Sequence, residues 1–204
     1  MLVQSTACHA SLPAPDSQTA DAAFLASRHI SYVGDLIMAR RIHDKDGEHV
    51  LVLTRKGSPS PARPKSGRVE HIELDAAYYS QQADLWKAEW ALHDFVECPG
   101  LDSAADFFSS GVSVTDLNGD GKAEVTIPYK LFCGGGIDFY TIKVILREGT
   151  TKLAIRGNSI VKLPGQEQFG GERRYDRLLL SPANVAYKQH MDQVWKVVSV
   201  DIRR

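Results

Sequence analysis

At 204 residues the chain can bury a sizeable core without a dense disulfide framework. Its 43% hydrophobic and 24% charged residues are those of a globular protein, and no apolar run approaches the roughly 18 residues that would span a bilayer. Net charge is −1, but Val69 to Glu124 carries 2 Lys/Arg against 12 Asp/Glu. So acidic a segment repels phosphate backbones, and neither flank has the Lys/Arg clusters and aromatic platforms of a nucleic-acid surface, so nucleic acid is not an expected partner.

Residues 1–22 are small, polar and proline-bearing with no apolar periodicity, which predicts a flexible segment. Ser-Thr-Ala-Cys8 loosely resembles a lipoprotein cleavage site, and the stretch reads as the remnant of an export signal whose basic and apolar regions are missing. The other reading is an ordinary ragged N-terminus. Residues 23–204 are expected to form one β-rich domain.

Ile30 to Ile42 and His49 to Thr54 read as strands joined by the turn Asp44-Lys45-Asp46-Gly47, because Asp-Gly between β-branched runs favours a hairpin. Gly57 to Gly67 holds three prolines, cannot join a ladder and reads as a surface loop. Val69 to Tyr79 and Leu85 to Glu97 are the next strands. In the second, Trp86, Ala88, Trp90 and Leu92 alternate with polar residues, which predicts one buried face and makes the tryptophans core residues before sugar platforms. A helix competes there, since Leu85, Trp86, Glu89, Leu92 and Val96 also fit a 3.6 period. After a loop at Cys98-Pro99-Gly100, strands Gly111 to Thr115, Val125 to Phe132, Phe139 to Arg147 and Lys152 to Arg156 follow at the spacing of an antiparallel meander. Pro164 to Asp176 reads as a loop, and Pro182 to Val194 as an amphipathic helix capped by Ser181. The expected fold is mainly β (α+β): an antiparallel meander or sandwich-like sheet with one C-terminal amphipathic helix.

The most specific chemistry lies in Asp116-Leu-Asn118-Gly-Asp120-Gly121-Lys122-Ala-Glu124. Oxygen-bearing side chains fall at positions 1, 3, 5 and 9, Lys122 offers its backbone carbonyl at position 7, and Gly121 supplies the turn. Three carboxylates and one amide suit Ca²⁺ better than the tighter octahedron of Mg²⁺. Position 12 is Ile127, and Val125 to Tyr129 is a strand sequence, so this is not an EF-hand. The loop resembles the strand-loop-strand calcium sites of FG-GAP repeats, present here in one copy. Without metal the same residues make Asn-Gly and Asp-Gly turns.

Cys98 and Cys133 each sit where a predicted strand meets a glycine-rich turn and would, if paired, bracket this loop. A disulfide fits an oxidising compartment; two buried free thiols are the alternative. Cys8 is then the odd cysteine, a lipid attachment site or part of a removed signal. The run Thr115 to Gly121 with Glu124, Tyr129-Lys130, Cys133, Lys143, Glu148-Gly149 and Lys152 to Gly157, preceded by Trp86, Asp94-Phe95 and Cys98, resembles a family of small bacterial envelope proteins of surface polysaccharide biosynthesis. Family members tend to carry a charged residue after the second cysteine, where this chain has Gly134-Gly135-Gly136.

Nucleophile elbows, phosphate loops and zinc-protease motifs are absent from the sequence. His43, His49, His71 and His93 fall on or beside predicted hairpins, but without the spacing that marks a zinc site. The resulting expectation is a non-catalytic, exported calcium-binding protein, periplasmic or at the cell surface, with glycan or an envelope protein as partner. The rival is a polysaccharide hydrolase using Asp94 with Glu97 or Asp102, a pair that would need about 5–9 Å between carboxyl groups.

Overall fold

The computed structural model describes residues 14–203; Cys8 and the proposed cleavage site lie outside them. The chain begins with β1 (Asp16–Ala20) and helix α1 (Ala22–Ser27). Flexibility through residue 22 is therefore corrected at Asp16–Ala20, which adds to the edge of a sheet by pairing with residues 39–43. Backbone pairing of this kind leaves no signature in side-chain hydrophobicity. The first turn of α1 is fixed by Asp21, whose carboxylate accepts the Phe24 N–H at 2.7 Å.

There follow β2 (Asp35–Asp44), β3 (Gly47–Ser58), β4 (His71–Gln82) and β5 (Leu85–Glu97), which with β1 form a five-stranded antiparallel sheet in sequence order. Asp44 faces Gly47 across the Lys45-Asp46 turn, where Gly47 has φ 122. The predicted start of the first strand at Ile30 moves to Asp35, because Ile30 packs with Leu25 beneath the sheet instead. The segment 85–97 is a strand, not a helix.

A second antiparallel sheet runs in the order β13-β10-β9-β8-β6, from β6 (Asp102–Phe107), β8 (Glu124–Gly134), β9 (Thr141–Glu148), β10 (Thr151–Asn158) and β13 (Arg173–Tyr175). The short strand β7 (Ser113–Thr115) also pairs with β8. Pro128 is tolerated inside β8 because it falls where the partner along one edge changes from β6 to β7, and its carbonyl still accepts the Phe108 N–H at 2.9 Å. A third small sheet joins β11 (Ile160–Lys162), β12 (Phe169–Gly170) and β14 (Val200–Ile202), with β11 and β14 parallel. The expected loop at 164–176 thus contains two short strands.

The two large sheets stack as a sandwich. Leu51, Leu53, Ile72 and Leu74 of the first pack with Val125, Ile127, Tyr129 and Ile145 of the second. Alternation turns the other face of β9, Ile142, Val144 and Leu146, toward helix α2 (Val185–Val198), which covers it with Tyr187, Met191 and Trp195. Likewise Val50 and Val52 turn toward α1. Covering both faces explains why β3 and β8 are continuous buried runs instead of alternating ones. The helix runs to Val198 and is preceded by a 3-10 turn at Pro182–Asn184; Ser181 makes no side-chain cap bond.

Candidate metal centre

The sequence Asp116 to Glu124 folds as a loop between β7 and β8, closed by the facing pair Thr115 and Glu124. Gly119 and Gly121 hold φ of 73 and 80, a conformation that side-chain-bearing residues resist. The loop winds around its own oxygens. Asp116 accepts the Asp120 N–H on Oδ1 and the Gly121 N–H on Oδ2, both at 3.0 Å. Asn118 Oδ1 also accepts the Asp120 N–H at 2.9 Å, and Asp120 Oδ1 accepts the Lys122 N–H at 2.8 Å.

Glu124 is fully buried. Its two oxygens accept the Leu117 N–H at 3.0 and 2.8 Å, and one also accepts the Thr115 hydroxyl at 3.0 Å. Burial pushes its carboxyl up to about 7, and the neighbouring Glu148 adds to the rise against the lowering effect of these hydrogen bonds. The accepting oxygens of Asp116 and Asp120 each keep a further lone pair, whereas Glu124 Oε2 accepts both the Leu117 N–H and the Thr115 hydroxyl and keeps none; Glu124 Oε1 keeps one. The loop's donors are all oxygens, the type a hard cation takes, but its three carboxylates are not among the described groups whose ligand atoms all lie within 4.8 Å of one another.

Contacts of the loop with three other elements were not legible from its spacing. The Lys45 N–H donates to the Gly121 carbonyl at 3.0 Å, and Lys45 Nζ reaches the Asp120 carbonyl. Asp44 Oδ2 accepts the Ala123 N–H at 2.8 Å, and Lys122 Nζ lies 2.7 Å from Asp46. On the other side Asn118 Nδ2 donates to the Tyr187 hydroxyl at 2.9 Å, and that hydroxyl donates to Glu148 at 2.7 Å. The loop is thus fastened to the β2–β3 turn, to the end of β9 and to α2.

Beside it opens a cleft of about 410 Å³ lined by Asp44, His49, Tyr78, Glu89, Lys122 and Glu148 among others. His49 is buried, with Nε2 2.9 Å from Asp44 Oδ1 and Nδ1 2.6 Å from Ser80 Oγ; the Ser80 hydroxyl donates to Glu89. The His49 ring stacks on Tyr78 at 5.1 Å, and Tyr78 on Trp90 at 5.0 Å. Arg147 lies over Trp90 at 5.3 Å, its Nε buried without a hydrogen bond, and burial lowers its pKa.

Glu89 reaches this position because β5 bulges there: Tyr78 faces Trp90 but Tyr79 faces Ala88. The bulge also puts Trp86 among the residues packed beneath α1 while Trp90 enters the sandwich. Both tryptophans serve the core, on opposite faces of one strand.

The suggested carboxylate pair is not brought together. Asp94 faces inward, where Lys143 and the Tyr129 hydroxyl, at 2.7 Å, donate to it. Glu97, an odd number of residues away, faces outward and accepts the Ser60 hydroxyl at 2.8 Å, while Asp102 pairs with Arg68 at 3.1 Å. The four histidines are likewise divided. His49 faces the cleft, whereas His93 joins Glu73 and Asp75 on the outer face of the first sheet, in a group whose ligand atoms lie within 4.8 Å of one another.

Cys98 and Cys133 form a disulfide, Cα to Cα 5.4 Å, that joins the end of β5 in one large sheet to β8 in the other. No described helix is long and apolar enough to cross a membrane. Comparison with protein-family models, with curated proteins and with solved structures finds no match to the chain.

Proposed function

We propose that the protein is a non-catalytic, exported calcium-binding protein of the bacterial cell envelope, linked to surface polysaccharide assembly. Its calcium is held by Asp116, Asn118, Asp120, the Lys122 carbonyl and Glu124. The observation that supports this reading is the double acceptance of the Asp120 and Gly121 amides by Asp116, which coils a loop whose side-chain donors are all oxygens. The disulfide supports an oxidising compartment, and the resemblance to envelope proteins supports the pathway. Lys122 and Ala123 form one wall of the cleft, so the ion would also set the shape of a polar site suited to a glycan. Calorimetric titration tests it: one calcium per chain, lost in Asp120→Ala, is expected, and no binding up to millimolar calcium refutes it.

One observation favours the second reading, an enzyme acting on polysaccharide. The cleft presents the carboxylates Glu89 and Glu148 in place of the separated Asp94 and Glu97. Hydrolysis of surface polysaccharide that disappears in both Glu89→Gln and Glu148→Gln would establish it; turnover unchanged in either variant would reject it.

A further inference from the structure

The outer face of the first sheet, turned away from the sandwich, carries metal-ligating side chains that neither loop nor cleft uses. In the β4–β5 pairing, Asp75 lies opposite His93, Glu73 opposite Phe95 and His71 opposite Glu97. Alternation then gathers His71, Glu73 and Asp75 on one face of β4, with His93 and Glu97 beside them on β5. Ligand atoms of Glu73, Asp75 and His93 all lie within 4.8 Å of one another. His93 Nδ1 is 2.7 Å from Asp75 Oδ1.

His71 supplies an independent observation. Its Nε2 is 3.4 Å from Glu73 Oε1 and its Nδ1 3.9 Å from Glu97 Oε2, and Nδ1 is buried without any hydrogen bond. The Phe95 ring packs against both imidazoles, at 5.3 Å from His71 and 6.0 Å from His93, and fixes their spacing. A groove of about 250 Å³, lined by Tyr32, Val33, Thr54 and Tyr79 among others, adjoins the group at Asp75.

We propose that Glu73, Asp75 and His93 bind a divalent transition metal of the zinc class, with His71 as the partner that orients Glu73. Imidazole nitrogen among the donors selects against Ca²⁺ and Mg²⁺, which take oxygen ligands, and favours Zn²⁺ or Co²⁺. The two sites therefore sort their ions by chemistry: oxygen donors in the loop, mixed nitrogen and oxygen donors on the sheet. Three protein ligands leave a coordination position for water or a ligand, the arrangement of open sites as opposed to closed structural ones, and the groove beside Asp75 gives access to it. Lys56 Nζ, 3.4 Å from Glu73, is a competing cation, and its half-exposed side chain is free to swing away.

The test uses the full chain, stripped of metal and held in excess calcium. Co²⁺ binding is followed by its visible absorption and Zn²⁺ binding by calorimetry. One equivalent is expected, and His93→Ala and Asp75→Asn should each weaken it by at least about 100-fold. His71→Ala should weaken it about 10- to 100-fold, the range for an outer-shell partner, and Asp120→Ala in the loop should leave it unchanged. Asp75 and His93 are 44% and 53% exposed, so both variants should fold. The absence of a stoichiometric site in the wild type, or a site indifferent to His93→Ala and Asp75→Asn, overturns the proposal.

Discussion

Breaking the Cys98–Cys133 bridge should lower stability by several kcal/mol. The two residues are 35 apart in sequence, and closing a loop of that length removes about 3.8 kcal/mol of chain entropy from the unfolded state. For a chain of this size each kcal/mol moves the melting temperature by about 2–4 °C, so the expected loss is about 8–15 °C. Cys98 is fully buried in the sandwich core, so replacing it would also remove packing. Cys133 is exposed, and Cys133→Ala therefore isolates the cross-link. Calorimetry of the oxidised wild type and of Cys133→Ala measures the difference. A shift below about 2 °C would refute the entropic argument, and peptide mapping that finds both thiols free in protein recovered from the periplasm would refute the link itself.

Calcium at about 100 times its dissociation constant should stabilise the wild type by about 2.7 kcal/mol, and Asp120→Ala should remove most of that gain; an unchanged thermal shift in the variant would place the ion elsewhere. Burial alone would raise the Asp94 carboxyl, but hydrogen bonds from Lys143 and Tyr129 outweigh it and hold the pKa below the usual aspartate value. That contribution is present above the unfolded value of about 3.9 and is lost as pH falls through the folded one, so Asp94→Asn should flatten the acid limb of a stability profile. An identical acid limb would show that the pair contributes nothing. Leu146, fully buried between β9 and α2, should cost about 2–5 kcal/mol when replaced by alanine, measured by urea unfolding. A cost below about 1 kcal/mol would mean that the helix does not pack there.

Local patterns carried the strands whose side chains alternate or whose turns are marked by Asp-Gly, and the disulfide was legible from two cysteines at strand ends. β6 was missed because Asp102 to Phe107 has little hydrophobic contrast; its place comes from backbone pairing with residues 129–134 of β8. The turn between β7 and β8 was legible because Asn118-Gly119 and Asp120-Gly121 supply the positive φ it needs. Their neighbours Asp44, Glu148 and Tyr187 were not, since they come from three elements distant in sequence. The bulge at Glu89 is the instructive failure: strict alternation puts Trp86 and Trp90 on one face, and one extra residue on β5 moves them to opposite faces while bringing Glu89 to Ser80.

Whether calcium at the loop acts as a brace or as a switch turns on helix α2. Tyr187 of that helix is 69 residues from Asn118 in sequence, but Asn118 donates to it, so protection gained at the first turns of the helix is part of a bracing role. A switch needs the whole helix to move. That would uncover Met191 and Trp195, both buried against β9 and β10, at about 1.5–3 kcal/mol for each large side chain. Typical coupling energies between sites are about 1–3 kcal/mol, which does not offset the loss of that face. Calcium should therefore slow hydrogen exchange in the β2–β3 turn, in residues 116–124 and around Tyr187, and leave Trp195 to Val198 unchanged. Exchange that changes with calcium along the entire helix would sink the bracing account, because only displacement of α2 as a unit connects the loop to its last turn.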